Sequence, residues 1–352
     1  MKQETTWLSD LKAASLHVEV GRQARARLDN LTKPPGSLGQ MEDLVVKLAG
    51  ITGKVCPVAD QASILLFAAD HGITAEGVSP YPSEVTAQMV MNFEREGAAI
   101  NAIANSVGAR LRVVDVGVAS EGEFSKANNK KVRAGTRNFM QEPAMTEEEG
   151  LAAIRVGFDT AREEIERGAQ LLALGEMGIG NTTTSSAITA CLLGLEIEMV
   201  TGKGTGLDEA GWTSKVGVIK KALARRKPDP NNGLDVLFKV GGYEIAALIG
   251  AILGAATRGI PVILDGFITG AASLIAREIM PASKHFMIAS HCSVEQGHQA
   301  QLDWLGLKPL IRWDLRLGEG SGAALVIPLL QAGCTVMQQM ATFESAGVTK
   351  KG

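Results

Sequence analysis

Five short apolar runs, Ser63–Ala68, Leu111–Val116, Leu171–Leu174, Ile260–Leu264 and His285–Ala289, are continuous rather than alternating, and each is bounded by turn residues. A strand with one wet face alternates apolar and polar residues. A strand covered on both faces need not, which is the pattern of parallel strands between helical layers. Helical spacing fills the intervals, for instance Thr146 to Arg167, opened by Thr146-Glu147-Glu148-Glu149 as a capping box, and Ser293 to Leu305. Strand, helix and strand recur, so the expected class is α/β: a doubly wound, mainly parallel sheet in three α/β/α layers.

The first sixty residues read differently. Leu8 to Leu31 is helix-like, and Ser37-Leu38-Gly39-Gln40 is expected to cap a second helix with Met41, Leu44, Val45 and Leu48 on one face. Residues 1–60 are thus expected to form a small helical lobe, joined by residues from about 325 to 352, which lack a strand signal. Residues 61–324 would be the α/β domain. The uncharged stretch Gly320 to Phe343 is long enough to cross a bilayer, but it carries Pro328, three glutamines and three glycines and reads as a buried helix.

With 352 residues, 45% of them hydrophobic, the chain can bury a full core. A formal charge of −3 gives no broad positive field for nucleic acid or an anionic membrane, so neither is an expected partner. Met1-Lys2-Gln3-Glu4 lacks the basic and apolar regions of a signal peptide, and the expected location is cytoplasmic. Cys56, Cys191, Cys292 and Cys334 form no C-x-x-C pair and read as reduced thiols.

Forty glycines cluster after the expected strands, where ligands of open α/β sheets sit. Leu171 to Thr184 runs from a strand through Gly175-Glu176-Met177-Gly178-Ile179-Gly180 into the hydroxyl-rich start Asn181-Thr182-Thr183-Thr184. Such a loop either lets backbone N–H groups meet an anion at a helix start or is a tight turn before a Ser/Thr-capped helix. Gly175 and Gly180 have P-loop spacing, yet Asn181 stands where a P-loop lysine would be, which argues against a kinase or ATPase. A second loop, Thr201-Gly202-Lys203-Gly204-Thr205-Gly206, precedes Lys215, which is either a further phosphate contact or a solvated lysine. Neither loop has the G-x-G-x-x-G of a dinucleotide fold.

In Arg316-Leu317-Gly318-Glu319-Gly320-Ser321-Gly322 one carboxylate lies between glycines ahead of an apolar helix. It reads either as a general base tuned by an apolar surface or as an acid at a helix start. Asp70 and His71 are a catalytic pair or a locally bonded strand end. Ser293 is placed to cap the following helix and touch phosphate. Glu295 and His298 are one turn apart with no third ligand apparent, so no metal is expected. A G-x-S-x-G elbow is lacking, which removes the support for a serine hydrolase.

Taken together, Lys33-Pro-Pro-Gly-Ser-Leu-Gly39, Ala69-Asp-His-Gly72, Gly175-Glu-Met-Gly-Ile-Gly-Asn-Thr-Thr183, Val240-Gly-Gly-Tyr-Glu244, Leu264-Asp-Gly-Phe267 and Arg316-Leu-Gly-Glu-Gly-Ser-Gly-Ala-Ala324 resemble the nicotinate-nucleotide–dimethylbenzimidazole phosphoribosyltransferase family. The likeness runs from about residue 30 to residue 332. It implies that nicotinate mononucleotide and 5,6-dimethylbenzimidazole give α-ribazole 5′-phosphate and nicotinate, with inversion at the anomeric carbon, as a step of cobalamin nucleotide-loop assembly without metal or cofactor.

By the same resemblance Glu319 is the general base and Glu176 a second functional carboxylate. Gly178, Gly180, Asn181, Thr182, Thr183, Lys215 and Ser293 would hold the phosphate and ribose. Tyr81, Ser83, Gln88, Met89, Met177 and Leu317 would line the base pocket. A homodimer is implied, with a heterodimer of paralogues as the alternative assembly. Cys292 stands where many relatives have Arg, Gln296 where they have Pro, and Glu96 lies in a stretch usually richer in glycine. Phenol or p-cresol is the alternative acceptor, because the same carboxylate can take an O–H proton. A binding module would keep the phosphate loops and lose the base, whereas both glutamates are present.

Overall fold

The computed structural model describes residues 6–120, 124–204 and 206–349. Met1-Lys2-Gln3-Glu4 and Thr205, on which two of the expectations above rest, lie outside the described residues. Six strands, β1 (Ala62–Ala69), β2 (Arg110–Gly117), β3 (Asn128–Asn129), β4 (Leu171–Met177), β5 (Val262–Leu264) and β6 (Met287–Ala289), form one sheet in the order β3-β2-β1-β4-β5-β6. Every pairing is parallel. The order reverses between β1 and β4, which opens a crevice at their carboxyl ends.

The sheet is covered on both faces, and the period of two within β1 shows how. Leu65, Phe67 and Ala69 point into a cluster with residues of the helices Glu147–Glu166, Tyr243–Thr257 and Phe267–Ile279. Ile64, Leu66 and Ala68 point the other way, toward the helices Glu84–Glu94, Ala99–Ser106, Ser321–Leu325 and Ile327–Gln339. Each leucine, isoleucine or phenylalanine buried in this way stabilises the fold by about 1.5–3 kcal/mol. A third cluster, Ala24, Leu28, Leu31, Val45, Ala49 and Met337, joins the helices Val18–Asp29, Gln40–Thr52 and Ile327–Gln339.

Thr146 caps its helix as its sequence requires: its Oγ1 accepts the Glu149 N–H at 3.2 Å, and Glu149 Oε2 accepts the Thr146 N–H at 2.8 Å. Elsewhere local signals were overridden. The helix expected over Leu8–Leu31 is a short turn at Thr6–Ser9 and a helix at Val18–Asp29. Between them the backbone finds partners in other elements, with Ala14 N–H donating to Ala256 O and His17 N–H to Gly50 O, both at 2.8 Å.

Ser37 does not cap the second helix, whose N-cap is Gly39. Glu42 does that work from inside, accepting from Leu38 N–H at 3.1 Å and from the buried Lys33 Nζ at 2.7 Å. The runs expected from Ile260 and His285 begin two residues later as strands, at Val262 and Met287, because a tight turn precedes one and a 3₁₀ segment, Pro281–Phe286, the other.

The carboxyl-terminal stretch Ser321–Gln339 is long and apolar enough to cross a membrane, and 56% of its apolar part is buried within the fold. It is broken at Val326, with Pro328 in the first turn of the second piece, and Ala323, Ala324, Ile327 and Leu330 pack against the sheet.

Candidate active site

Two strands, β4 and β5, deliver carboxylates at the centre of the site. β4 ends in Gly175-Glu176-Met177 and passes through Gly178 and Ile179 to Gly180, whose φ of 96° makes it the N-cap of the helix Asn181–Leu193. β5 is followed at once by Asp265, 2% exposed. Its two carboxylate oxygens accept the backbone N–H groups of Gly320 at 3.2 Å and Ala323 at 3.0 Å. Asp265 therefore pins the turn Gly318-Glu319-Gly320, in which all three residues are left-handed, at φ 84°, 62° and 80°. For Glu319 that conformation costs of order 1–2 kcal/mol, and strain of this kind persists only where the surroundings over-determine it.

Glu176 and Glu319 line one cleft together with Met177, Asp265, Arg316 and Leu317. Glu176 is 7% exposed, and its Oε2 accepts a short hydrogen bond from Asn181 Nδ2. Burial, then the carboxylates of Asp265, Glu244 and Glu319, push its pKa up to about 8. Asp265 is pushed up to about 7 by burial against the opposing pull of the N–H groups it accepts. Glu319 is raised above the usual carboxylate range by burial, with the backbone N–H of Ile100 opposing. Its Oε2 is buried without a hydrogen-bond partner among the described residues. A carboxylate oxygen left that way costs about 1–3 kcal/mol, and a donor N–H or O–H from a ligand would recover it.

The other end of the cleft joins a buried lysine to a helix start. Lys215 is 1% exposed, and its Nζ donates to Thr182 Oγ1 at 2.8 Å and to Gly202 O at 3.5 Å. Burial brings its pKa down to about 8, with the nearby Glu295 opposing. Thr182 sits in the first turn of the helix Asn181–Leu193, so a cation, a hydroxyl and a helix amino terminus converge. Ser293 also lines the cleft. It does not cap a helix, because the helix begins at Gln296 with Glu295 as N-cap. Its Oγ instead donates to Leu315 O at 3.1 Å and accepts the Glu295 N–H at 3.3 Å.

The cleft gathers Glu176, Met177, Gly178, Asn181, Thr182, Ser293, Leu317 and Glu319 of the residues singled out in the sequence, with Lys215 bonded to Thr182 behind it. Gly180 shapes the turn, and Thr183 is fully buried outside the cleft lining, its hydroxyl without a hydrogen-bond partner among the described residues. Tyr81, Ser83, Gln88 and Met89 do not line it. Tyr81 is 50% exposed, Met89 packs against the core, and the helix Glu84–Glu94 meets the site through Thr86, whose Oγ1 accepts the Ile179 N–H at 3.1 Å.

Asp70 and His71 are not each other's partners. Asp70 Oδ2 accepts Ala119 N–H at 2.7 Å, while His71 bonds Glu244 and Thr184. His298 Nδ1 accepts the Ser293 N–H at 2.9 Å, and no group of three or more His, Cys, Asp or Glu residues among those described is placed to hold a metal. Asp265 and Arg316 were not singled out, although the segments Leu264–Phe267 and Arg316–Ala324 contain them.

A family described as phosphoribosyltransferase matches residues 13–348. The nicotinate-nucleotide–dimethylbenzimidazole phosphoribosyltransferase of Chloroflexus aggregans is 52% identical over 329 residues, 93% of each chain. The protein of the same name from Desulforudis audaxviator is 51% identical over 94% of each chain. Among solved structures, CobT from Thermus thermophilus superposes with a TM-score of 0.91 at 47% identity, over 95% of this chain and 100% of that one. Residues 13–348, the pinned glutamate turn and the lysine-backed helix start thus sit within one close and full-length likeness, and the chain belongs to the nicotinate-nucleotide–dimethylbenzimidazole phosphoribosyltransferase family.

Proposed function

We propose that the chain transfers the phosphoribosyl group of nicotinate mononucleotide to 5,6-dimethylbenzimidazole, giving α-ribazole 5′-phosphate and nicotinate for cobalamin nucleotide-loop assembly. The observation that carries this reading is the unpartnered, buried Oε2 of Glu319 in the same cleft as the Thr182–Lys215 anion cradle.

The phosphate is held by Lys215, Thr182 and the helix start behind Gly178 and Gly180, with Asn181 and Ser293 toward the ribose. Met177 and Leu317 flank the planar base. One ring nitrogen attacks the anomeric carbon from the face opposite the leaving nicotinate. As that bond forms, Glu319 takes the proton from the other ring nitrogen, and nicotinate departs from a pyridinium that needs no acid. Two carboxylates in one cleft divide the work by environment: Glu176, pushed up to about 8 by burial and its carboxylate neighbours, keeps its proton at neutral pH, and Glu319, raised by burial, is the base whose Oε2 takes the ring proton. Positioning supplies much of the remaining rate.

The same reading takes the protein as cytoplasmic and homodimeric, with residues 1–60 and about 325–352 as a helical lobe beside the α/β domain 61–324. The test is to incubate the protein with nicotinate mononucleotide and a mixture of benzimidazoles, purines and phenolics and to identify products by mass. The α-ribazole 5′-phosphate mass is expected. A phosphoribosylated phenol alone would move the reading to the phenolic acceptor, and no phosphoribosyl product at all would sink it.

A further inference from the structure

Two of the segments that mark this sequence, Ala69-Asp-His-Gly72 and Val240-Gly-Gly-Tyr-Glu244, supply no residue to the proposed chemistry, yet the fold brings them together beneath it. His71 follows β1 and Glu244 lies in the first turn of the helix Tyr243–Thr257; both side chains are fully buried. His71 Nε2 is 2.7 Å from Glu244 Oε1, and His71 Nδ1 is 2.9 Å from Thr184 Oγ1, in the first turn of the helix that opens the anion cradle. An ionised carboxylate only accepts, so Nε2 carries a proton toward Glu244, which leaves Nδ1 to accept from the Thr184 hydroxyl when the ring is neutral.

The ring fills the gap between two backbone segments. A Cβ built on Gly178 would lie 3.3 Å from its Cδ2 and Nε2, and one built on Gly242 would lie 2.3 Å from its Cε1. The loop after β4 and the start of the helix Asn181–Leu193 are therefore held from below by one imidazole. Glu244 acts on the cleft through its charge as well. Its charge, with those of Asp265 and Glu319, each from a different element, raises the pKa of the buried Glu176, and Asn181 Nδ2 is the donor opposing the three. A satisfied core histidine would explain the packing but not why its partner is a carboxylate whose field reaches a residue of the cleft.

Resting on the transfer reaction proposed above, we propose that His71 and Glu244 are positioning residues: the couple sets the register of the loop Gly178–Thr182 and, through the Glu244 carboxylate, acts on the charge state of Glu176. Neither residue touches substrate.

Glu244→Gln keeps the side chain's shape and its acceptor for His71 while removing the charge. In a variant whose circular dichroism and melting match the wild type, kcat should fall roughly ten- to a hundredfold, the loss typical of small misplacements, with nicotinate mononucleotide binding retained. The protonated carboxyl band of Glu176, assigned in infrared titrations by its disappearance in Glu176→Gln, should titrate at lower pH than in the wild type. Unchanged kcat together with an unchanged Glu176 titration overturns the proposal. Should Glu244→Gln not fold, Thr184→Val removes one hydroxyl from His71 and is expected to raise the KM for nicotinate mononucleotide several-fold; an unaltered KM is equally fatal. Absence of any transfer product from the wild type would instead remove the proposed reaction, while the Glu176 titration would still report on the couple.

Discussion

Gly175 of β4 lies directly against the main chain of Glu319: a Cβ built on Gly175 would stand 2.6 Å from the carbonyl carbon and oxygen of Glu319 and 2.6 Å from the Gly320 nitrogen. The left-handed glutamate turn is thus seated on the one position of β4 that has no side chain, with Asp265 accepting the Gly320 N–H. Gly175→Ala should push the turn outward. Circular dichroism should show a folded protein with a lowered melting temperature. Steady-state kinetics should show kcat reduced by about a hundredfold, against a smaller change in nicotinate mononucleotide affinity. A Gly175→Ala enzyme with full kcat would mean that the turn tolerates displacement.

The titrations of two cleft residues should give kcat/KM a bell-shaped pH dependence. Glu319 has a raised pKa, so as pH falls through it the base is protonated and activity is lost above the range of an ordinary carboxylate. Lys215, brought down to about 8, loses its charge as pH rises, and the phosphate loses its partner. Glu176 titrates in the same region, so the variants decide the alkaline limb. The limb should persist in Glu176→Gln and vanish in Lys215→Met, and the reverse pattern would assign it to Glu176.

Burying Glu176 has a stability consequence of definite sign. Its pKa is raised in the folded protein, from 4.5 to about 8, so the native state binds more protons than the unfolded chain across that window. Stability conferred by the neutral group is complete below 4.5 and is lost as pH rises through about 8. Glu176→Gln copies the neutral form at every pH and still accepts from Asn181. Relative to this variant the wild type should lose about 1.4 kcal/mol for each pH unit climbed within the window. Denaturant unfolding at a series of pH values measures the difference, and parallel curves for the two proteins would show that Glu176 is not perturbed.

The strands and the glutamate turn were legible in the sequence because their signals are local. Continuous apolar runs marked β1, β2, β4, β5 and β6, and a carboxylate between glycines marked Glu319. β3 escaped because its two asparagines carry no apolar run and exist as a strand only by pairing with Val114 and Asp115. Asp265 escaped because its work is to accept N–H groups 55 and 58 residues away, which no spacing announces. The residues drawn from Tyr81–Met89 lie outside the cleft lining for a related reason: the segment does border the site, but the helix Glu84–Glu94 turns Thr86 toward it and packs Met89 against the core. The long amino-terminal helix was overestimated because its propensity competed with tertiary hydrogen bonds at Ala14 and His17.

The most exposed prediction concerns which glutamate takes the proton. Both line the cleft, but they differ in what their oxygens already do. Glu176 Oε2 is occupied by Asn181 Nδ2, and the surrounding carboxylates hold the group protonated at neutral pH, a state that cannot accept a proton. Glu319 Oε2 has no partner among the described residues, and burial raises its basicity. Glu319→Gln preserves the shape of the turn and removes the basic oxygen. Single-turnover kinetics should show the chemical step slowed by about 10²–10⁴, the range for a lost general base. Calorimetry should show nicotinate mononucleotide bound with near-wild-type affinity, so the loss lies in kcat. Glu176→Gln, which keeps the Asn181 hydrogen bond and the neutral charge state, should lose far less. Near-normal turnover in Glu319→Gln with an inactive Glu176→Gln would transfer the base to Glu176. It would also mean that the proton is taken by the carboxylate that Asp265 and Glu244 hold neutral, which requires those neighbours to release it on substrate binding.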